Sequence, residues 1–350
     1  MSECYTNILF PIITSFFVTY LAIPKIIHFS KLSNLFASAS NRSSHKGEVP
    51  IFGGIAIFAG LLVSLIIFPQ IKEINFILIS LIIVFFIGII DDLLSLSPFR
   101  KLIGQILSVL VLIYFTDLRI FSMHNLFGIQ DLPYFVSLLF TIFVGVVITN
   151  SYNLIDGIDG LAGGLGAIFS LFSGIIFLIN NDIQYVIISF ALLGSLLAFL
   201  KYNFHPARIF MGDTGSLVIG LTLSVLAIRL INQGIEIPHI EHSKDRGPFI
   251  AIALLSIPLY DTFRVFFIRI LSGFHPLHPD RNHIHHALLD LGLGHSKSTL
   301  LLYLFSILIL FGSYFMISMS LGLSIFILTS FVLSCMAIPF ILIQYKKHNK

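Results

Sequence analysis

The chain has 350 residues, 57% of them hydrophobic and 11% charged, with a mean hydropathy of +0.99. A soluble domain is about a quarter charged, so these values exclude a water-soluble globule and specify a polytopic membrane protein. A net charge of +3 without a long basic run argues against a nucleic-acid partner, and Cys4 and Cys335, near opposite ends, offer neither a disulfide framework nor a thiolate metal cluster.

A helix needs about 20 apolar residues to cross the hydrocarbon core. Eleven stretches meet or approach that length: about 6–27, 51–69, 75–91, 101–117, 133–150, 160–180, 184–200, 214–231, 248–269, 299–318 and 320–343. The first lacks a basic region before it and a small-residue cleavage site, so it reads as a retained helix. The 160–180 stretch, with its glycines, and the 248–269 stretch, which contains Pro258, Asp261 and Arg264, are the weakest; the second is expected to bend or leave the bundle. With alternating crossings, 15 of the 20 Lys and Arg residues fall on one side and 5 on the other. The positive-inside rule makes the richer side cytoplasmic, with the N-terminus outside and the C-terminus inside. The expectation is therefore one all-α domain, residues 1–350, built as a transmembrane bundle of about eleven helices.

Four cytoplasmic loops and one helix end carry polar residues that membrane crossing does not require. The first loop holds Arg42, His45 and Lys46, followed by Gly53 and Gly54, which let the chain turn into the next helix. Next come Asp91 and Asp92, directly off an apolar helix, where adjacent carboxylates repel each other and sit at the unfavourable helix end. They suit accepting a proton or holding Mg²⁺. In NSYNLIDGIDGLAGG, three-residue spacing puts Asn150, Asn153, Asp156 and Asp159 on one face if the segment is helical. In KYNFHPARIFMGDTGSL, Asp213 sits at a helix start, where it looks like an N-cap and where free N–H groups flanked by Gly212 and Gly215 suit a phosphate; Phe210 could stack on a nucleobase. The longest loop holds six of the 13 histidines. His283, His285 and His286 lack zinc-pair spacing and, with Arg281, better suit phosphates. Hard oxygen ligands without thiolate select Mg²⁺ or Mn²⁺, and the combination points to metal-dependent phosphoryl transfer onto a lipid.

The ordered set R-x-x-H…VPxxGG, DDxxSLSP…K, NLIDGIDGLAGG, FMGDTGSL and PDRNHIHH resembles the polyprenyl-phosphate N-acetylhexosamine-1-phosphate transferases, over about Arg42 to His286. The resemblance implies an all-helical membrane enzyme that moves a sugar 1-phosphate from a UDP-N-acetylhexosamine to undecaprenyl phosphate and releases UMP. It implies that Asp213, with Asn153, binds Mg²⁺ and that one of Asp91 and Asp92 deprotonates the lipid phosphate. Asp156 and Asp159 would lie near the nucleotide, Asn203 and Phe210 would contact uracil, and Arg281, His283, His285 and His286 would hold donor phosphates or orient the lipid. HIHH in place of three consecutive histidines resembles the GlcNAc-1-phosphate branch rather than the muramoyl-pentapeptide branch. The expected setting is the cytoplasmic membrane with the site facing inward, and a homodimer is compatible with it. The rival from another class is a proton-coupled transporter or lipid-carrier flippase, which would place its charges near the bilayer midplane, often in related halves.

Overall fold

The computed structural model describes residues 2–33, 49–68, 73–233, 243–273 and 282–348. Arg42, His45, Lys46 and Arg281 lie outside the described residues. The expected apolar stretches are all helical. They form α1 (Ser2–Leu32), α2 (Gly53–Ile67), α3 (Ile74–Leu94), α4 (Pro98–Thr116), α5 (Tyr134–Ile155), α6 (Leu161–Ile179), α7 (Ile183–Asn203) and α8 (Gly212–Gln233). After these come α9 (Gly247–Leu254), α10 (Ser256–Leu271), a short α11 (Ile284–Asp290), α12 (His295–Met316) and α13 (Leu321–His348). A two-stranded antiparallel hairpin, β1 (Ser122–Leu126) and β2 (Ile129–Asp131), is the one sheet among the described residues of an otherwise all-α chain. It follows the end of α4 opposite Lys101.

Nine described helices are long and apolar enough to cross a membrane, and α2, with 15 residues, falls short. The eleventh expected span is α9 and α10 together, bent by 78°. The break lies at Leu254–Leu255 because Pro258 has no N–H to offer the Leu254 carbonyl. Pro258 then sits in the first turn of α10, where a missing N–H costs little.

Lipid tails are as apolar as leucine, so close packing and buried polar pairs hold helices together in a membrane. The most enclosed span, α8, is surrounded by α2, α3, α5 and α9, while α7 packs on α1 and α6. Glycines set the approach to α8: a Cβ on Gly54 would lie 2.1 Å from the Gly215 nitrogen, and one on Gly88 would lie 2.4 Å from the Thr214 Cα. Gly53 and Gly54 thus serve contact rather than turning, and their N–H groups donate to the carbonyls of Phe210 and Met211 at 2.9 Å each. Between α4 and α5, Gln105 and Asn150 exchange two amide hydrogen bonds (3.2 and 2.8 Å).

The ends of α3, α5 and α7 and the starts of α2, α4, α6, α8 and α12 meet at one end of the bundle, where the polar motifs gather. Gly54→Ala forces two backbones apart and is expected to cost about 1–3 kcal/mol, the scale of overpacking. A lower thermal midpoint in detergent checks this; an unchanged midpoint would show that the α2–α8 junction has slack.

Candidate active site

Asp92 ends α3 at the unfavourable pole of that helix's dipole, yet its carboxylate is fully used. Its Oδ1 accepts the Asp213 N–H at 2.7 Å, while its Oδ2 accepts the Thr214 N–H at 3.0 Å and the Thr214 hydroxyl at 2.5 Å. Asp92 therefore caps α8 from another helix. This corrects two expectations. Asp213 is a first-turn residue of α8 rather than its N-cap, and the N–H groups proposed for a phosphate already serve a carboxylate.

Asp91, one residue earlier, is buried, accepts the Leu96 N–H at 2.6 Å and forms an ion pair with Lys101. The same ammonium lies 2.9 Å from Asp213 Oδ1, which also accepts from the Asn153 amide. That amide donates to the Ser216 hydroxyl as well, at 2.8 Å. Asp91, Lys101, Asn153 and Asp213, spread over 123 sequence positions, thus form one connected group.

Asp156 follows α5 at the edge of this group. Among the described residues its carboxylate has no hydrogen-bond or ion-pair partner. Burial, and then the charges of Asp213, Asp92 and Asp159, push its pKa up to about 7. Asp91 and Asp213 sharing one ammonium, Asn153 bonded to Asp213, and the uncompensated Asp156 nearby make a hard-oxygen donor set that fits Mg²⁺ or Mn²⁺. In such a site Asp213 and Asn153 are the ligands at hand, with Asp156 beside them.

The four polar residues of the NLIDGIDG stretch do not share one face, because α5 stops at Ile155. Asn150 faces Gln105 and Asn153 faces Asp213, whereas Asp159 turns the other way. Its Oδ2 lies 2.7 Å from His205 Nδ1 and accepts the Ala207 N–H at 3.1 Å, and His295 Nδ1 is 3.6 Å from Oδ1. Ligand-type atoms of Asp159, His205 and His295 lie within 4.8 Å of one another. Asn203, expected at uracil, is buried with both ends of its amide in use: Oδ1 accepts the Gly160 N–H (2.9 Å) and Nδ2 donates to the Ile209 carbonyl (2.8 Å). It holds the turn together. Half-buried Phe210 is tied by its backbone to Pro50 and Gly53.

The histidines also differ from expectation. His283 is buried, with Nδ1 2.8 Å from Asp261 Oδ2, and the Ile284 N–H donates to Asp261 Oδ1 at 2.9 Å. Arg264 binds the same Oδ1 at 2.9 Å. His285 is 1% exposed, with both ring nitrogens unpaired among the described residues. Burial, and then the neighbouring His286, bring its pKa down to about 3, so it is neutral and cannot act as a phosphate-binding cation. Instead it stacks on His283 (5.6 Å) and lies against Gly157, where a Cβ would come within 2.1 Å of Nε2. His286 is half-buried beside it.

Sequence reasoning passed over the roles of Lys101, Gln105, His205, Asp261, His295, Thr299 and Tyr303. A signal existed for Asp261 and Arg264, since charges inside an apolar span are costly and need a use. His295, Thr299 and Tyr303 recur every fourth residue along α12, a spacing that puts them on one face.

The profile described as "Glycosyl transferase family 4" matches residues 74–231. The chain is 34% identical over 294 residues, 83% of its length and 79% of the relative's, to "Probable undecaprenyl-phosphate N-acetylglucosaminyl 1-phosphate transferase" of Bacillus subtilis. It is 32% identical over 329 residues (86% and 80%) to "Decaprenyl-phosphate N-acetylglucosaminephosphotransferase" of Mycolicibacterium smegmatis. It is 28% identical over 271 residues (75% and 71%) to "Undecaprenyl-phosphate alpha-N-acetylglucosaminyl 1-phosphate transferase" of Escherichia coli.

Asp92→Ala leaves three donors at the head of α8 unsatisfied, which is expected to cost about 1–3 kcal/mol. Thermal unfolding in detergent should show a drop that Asp92→Asn, with one acceptor oxygen, reverses only in part.

Proposed function

Because the chain belongs to the polyprenyl-phosphate N-acetylhexosamine-1-phosphate transferases of glycosyl transferase family 4, we propose that it transfers GlcNAc 1-phosphate from UDP-GlcNAc to undecaprenyl phosphate. UMP is released and a lipid-linked pyrophosphoryl sugar is formed, which starts a cell-envelope glycan. The observation that carries the reading is the meeting of Asp91, Lys101, Asn153, Asp156 and Asp213 at one end of an apolar bundle. A soluble nucleotide and a membrane-embedded phosphate can both reach such a rim. The Lys and Arg excess on the same side supports a cytoplasmic orientation.

The reaction is a single displacement. An oxygen of the lipid phosphate attacks the sugar-bearing phosphorus of the donor, the bond to the bridging oxygen breaks, and UMP leaves with that oxygen. Asp91 is the member of the aspartate pair that takes the lipid phosphate's proton, since Asp92 already accepts three hydrogen bonds at α8. Lys101, in contact with both Asp91 and Asp213, holds a phosphate oxygen once substrate enters. Asp213 and Asn153 hold Mg²⁺, which when bound neutralises the donor's pyrophosphate. Positioning and charge compensation supply the rate, because phosphoryl transfer leaves little covalent chemistry to the protein.

Membranes containing the protein, given tritiated UDP-GlcNAc and undecaprenyl phosphate, should yield labelled lipid. EDTA should abolish the product and added Mg²⁺ should restore it. Transfer from UDP-GalNAc with none from UDP-GlcNAc would reassign the sugar. Asp213→Asn is expected to insert and purify normally and to lose about a hundredfold or more of activity, the scale of removing one preorganised electrostatic stabiliser. Normal turnover in that variant would defeat the metal assignment.

Protonation of Asp156 removes a negative charge from the rim. The Mg²⁺ concentration for half-maximal turnover should therefore rise as pH falls through about 7, and Asp156→Asn should flatten that rise.

A further inference from the structure

Between the end of α5 at Ile155 and the start of α6 at Leu161, the chain turns where helical hydrogen bonding lapses. Peptide groups there need other partners, and at the rim of an apolar bundle an unmet one is costly. At Asp159 and Gly160 side chains from distant helices supply them, and the Gly160 carbonyl also accepts the Gly164 N–H at 2.9 Å as α6 begins. The Asp159 carbonyl accepts from the Thr299 hydroxyl at 2.9 Å, and the Asp159 N–H faces His295 Nδ1 at 3.4 Å. The Gly160 carbonyl accepts from the Tyr303 hydroxyl, and the Gly160 N–H donates to Asn203 Oδ1 at 2.9 Å.

Three of these four side chains come from α12, at positions 295, 299 and 303, one stripe along a helix. The glycines of the turn are shaped to it. Gly160 has φ +77°, and a Cβ on Gly164 would lie 1.8 Å from the Tyr303 hydroxyl oxygen. We propose that the His295–Thr299–Tyr303 face of α12 is the positioning element for the donor-binding turn, fixing Asp159 where the nucleotide is read. This rests on the function proposed above, together with the family resemblance, which implies that Asp156 and Asp159 lie near the nucleotide of the donor. The acceptor-handling residues Asp91 and Lys101 sit on α3 and α4 and make none of these bonds, so the stripe is expected to act mainly on the donor.

The Asp159, His205 and His295 atoms could also be read as a zinc site. The hydrogen bonds favour the clamp: Asp159 Oδ2 already takes the Ala207 N–H and faces His205, and His295 Nδ1 faces the Asp159 amide.

The test uses the full-length protein in detergent with Mg²⁺. UDP binding is measured by calorimetry, and KM is measured for UDP-GlcNAc and for undecaprenyl phosphate. Thr299→Val and Tyr303→Phe each remove one donor and are expected to weaken UDP binding and raise the donor KM about fivefold. The acceptor KM should hold, and Thr299→Ser should restore the donor values. If the wild type fails to bind UDP, the proposed function falls and takes the inference with it. If the wild type binds UDP and both variants bind it equally well, the inference alone falls. It also falls if both KM values move by the same factor, as general loosening would cause. A Zn²⁺-dependent rise in thermal midpoint that His295→Gln removes would overturn the clamp in favour of a metal site.

Discussion

A carboxylate at the C-terminal end of an apolar helix faces the negative pole of its own helix and little water. Asp92 meets that constraint by reaching the first turn of α8, where three donors and the positive pole of a second helix receive it. One helix's liability is the other's cap, so α3 and α8 are locked end to end. The close contact of Gly88 with Thr214 belongs to the same junction. Asp91, the neighbour of Asp92, and Asp213, whose own N–H Asp92 accepts, are thereby brought together at the Lys101 ammonium. Like charges held that close need a cation, and the ammonium supplies one before any substrate arrives.

A division of labour follows around that junction. On one side α3, α4 and α8 gather Asp91, Lys101 and Asp213, while on the other α7 and α12 grip the turn that carries Asp159. The NLIDGIDG stretch joins the two, with Asn153 facing the first group and Asp159 the second. Asp261 secures a third part, tying His283 and the first turn of α11 to α10 while His285 rests on Gly157. His283 is here a hydrogen-bonding group and His285 a packing one, the latter held neutral because burial removes the solvent that would stabilise its charge.

Much of the architecture was legible because a membrane imposes a length rule on apolar runs. The eleven stretches became helices, and the doubtful 248–269 stretch broke close to its proline. The residues of the carboxylate group were also legible, since polar side chains stand out in an apolar chain. Their partners were not. Asp92 pairs with backbone 121 residues away, and no local pattern marks a helix capped by another helix. The break after Ile155 was hidden too, because three-residue spacing continues through a turn as readily as through a helix. The main-chain bonds of Asn203 were hidden for a related reason: an amide beside a binding motif looks the same whether it meets a ligand or a main chain.

The exchanged amides of Gln105 and Asn150 have a mechanical consequence. Gln105 stands one helical turn from Lys101, and Asn150 stands three residues from Asn153, so the pair lies just beneath the charged group. Rolling either helix about its axis, or sliding it by a residue, would break both bonds at once in surroundings without replacement partners. The joint behaves like a key in a shaft: it fixes angle and depth together, and so delivers the lysine and the asparagine to the same point each time the bundle assembles.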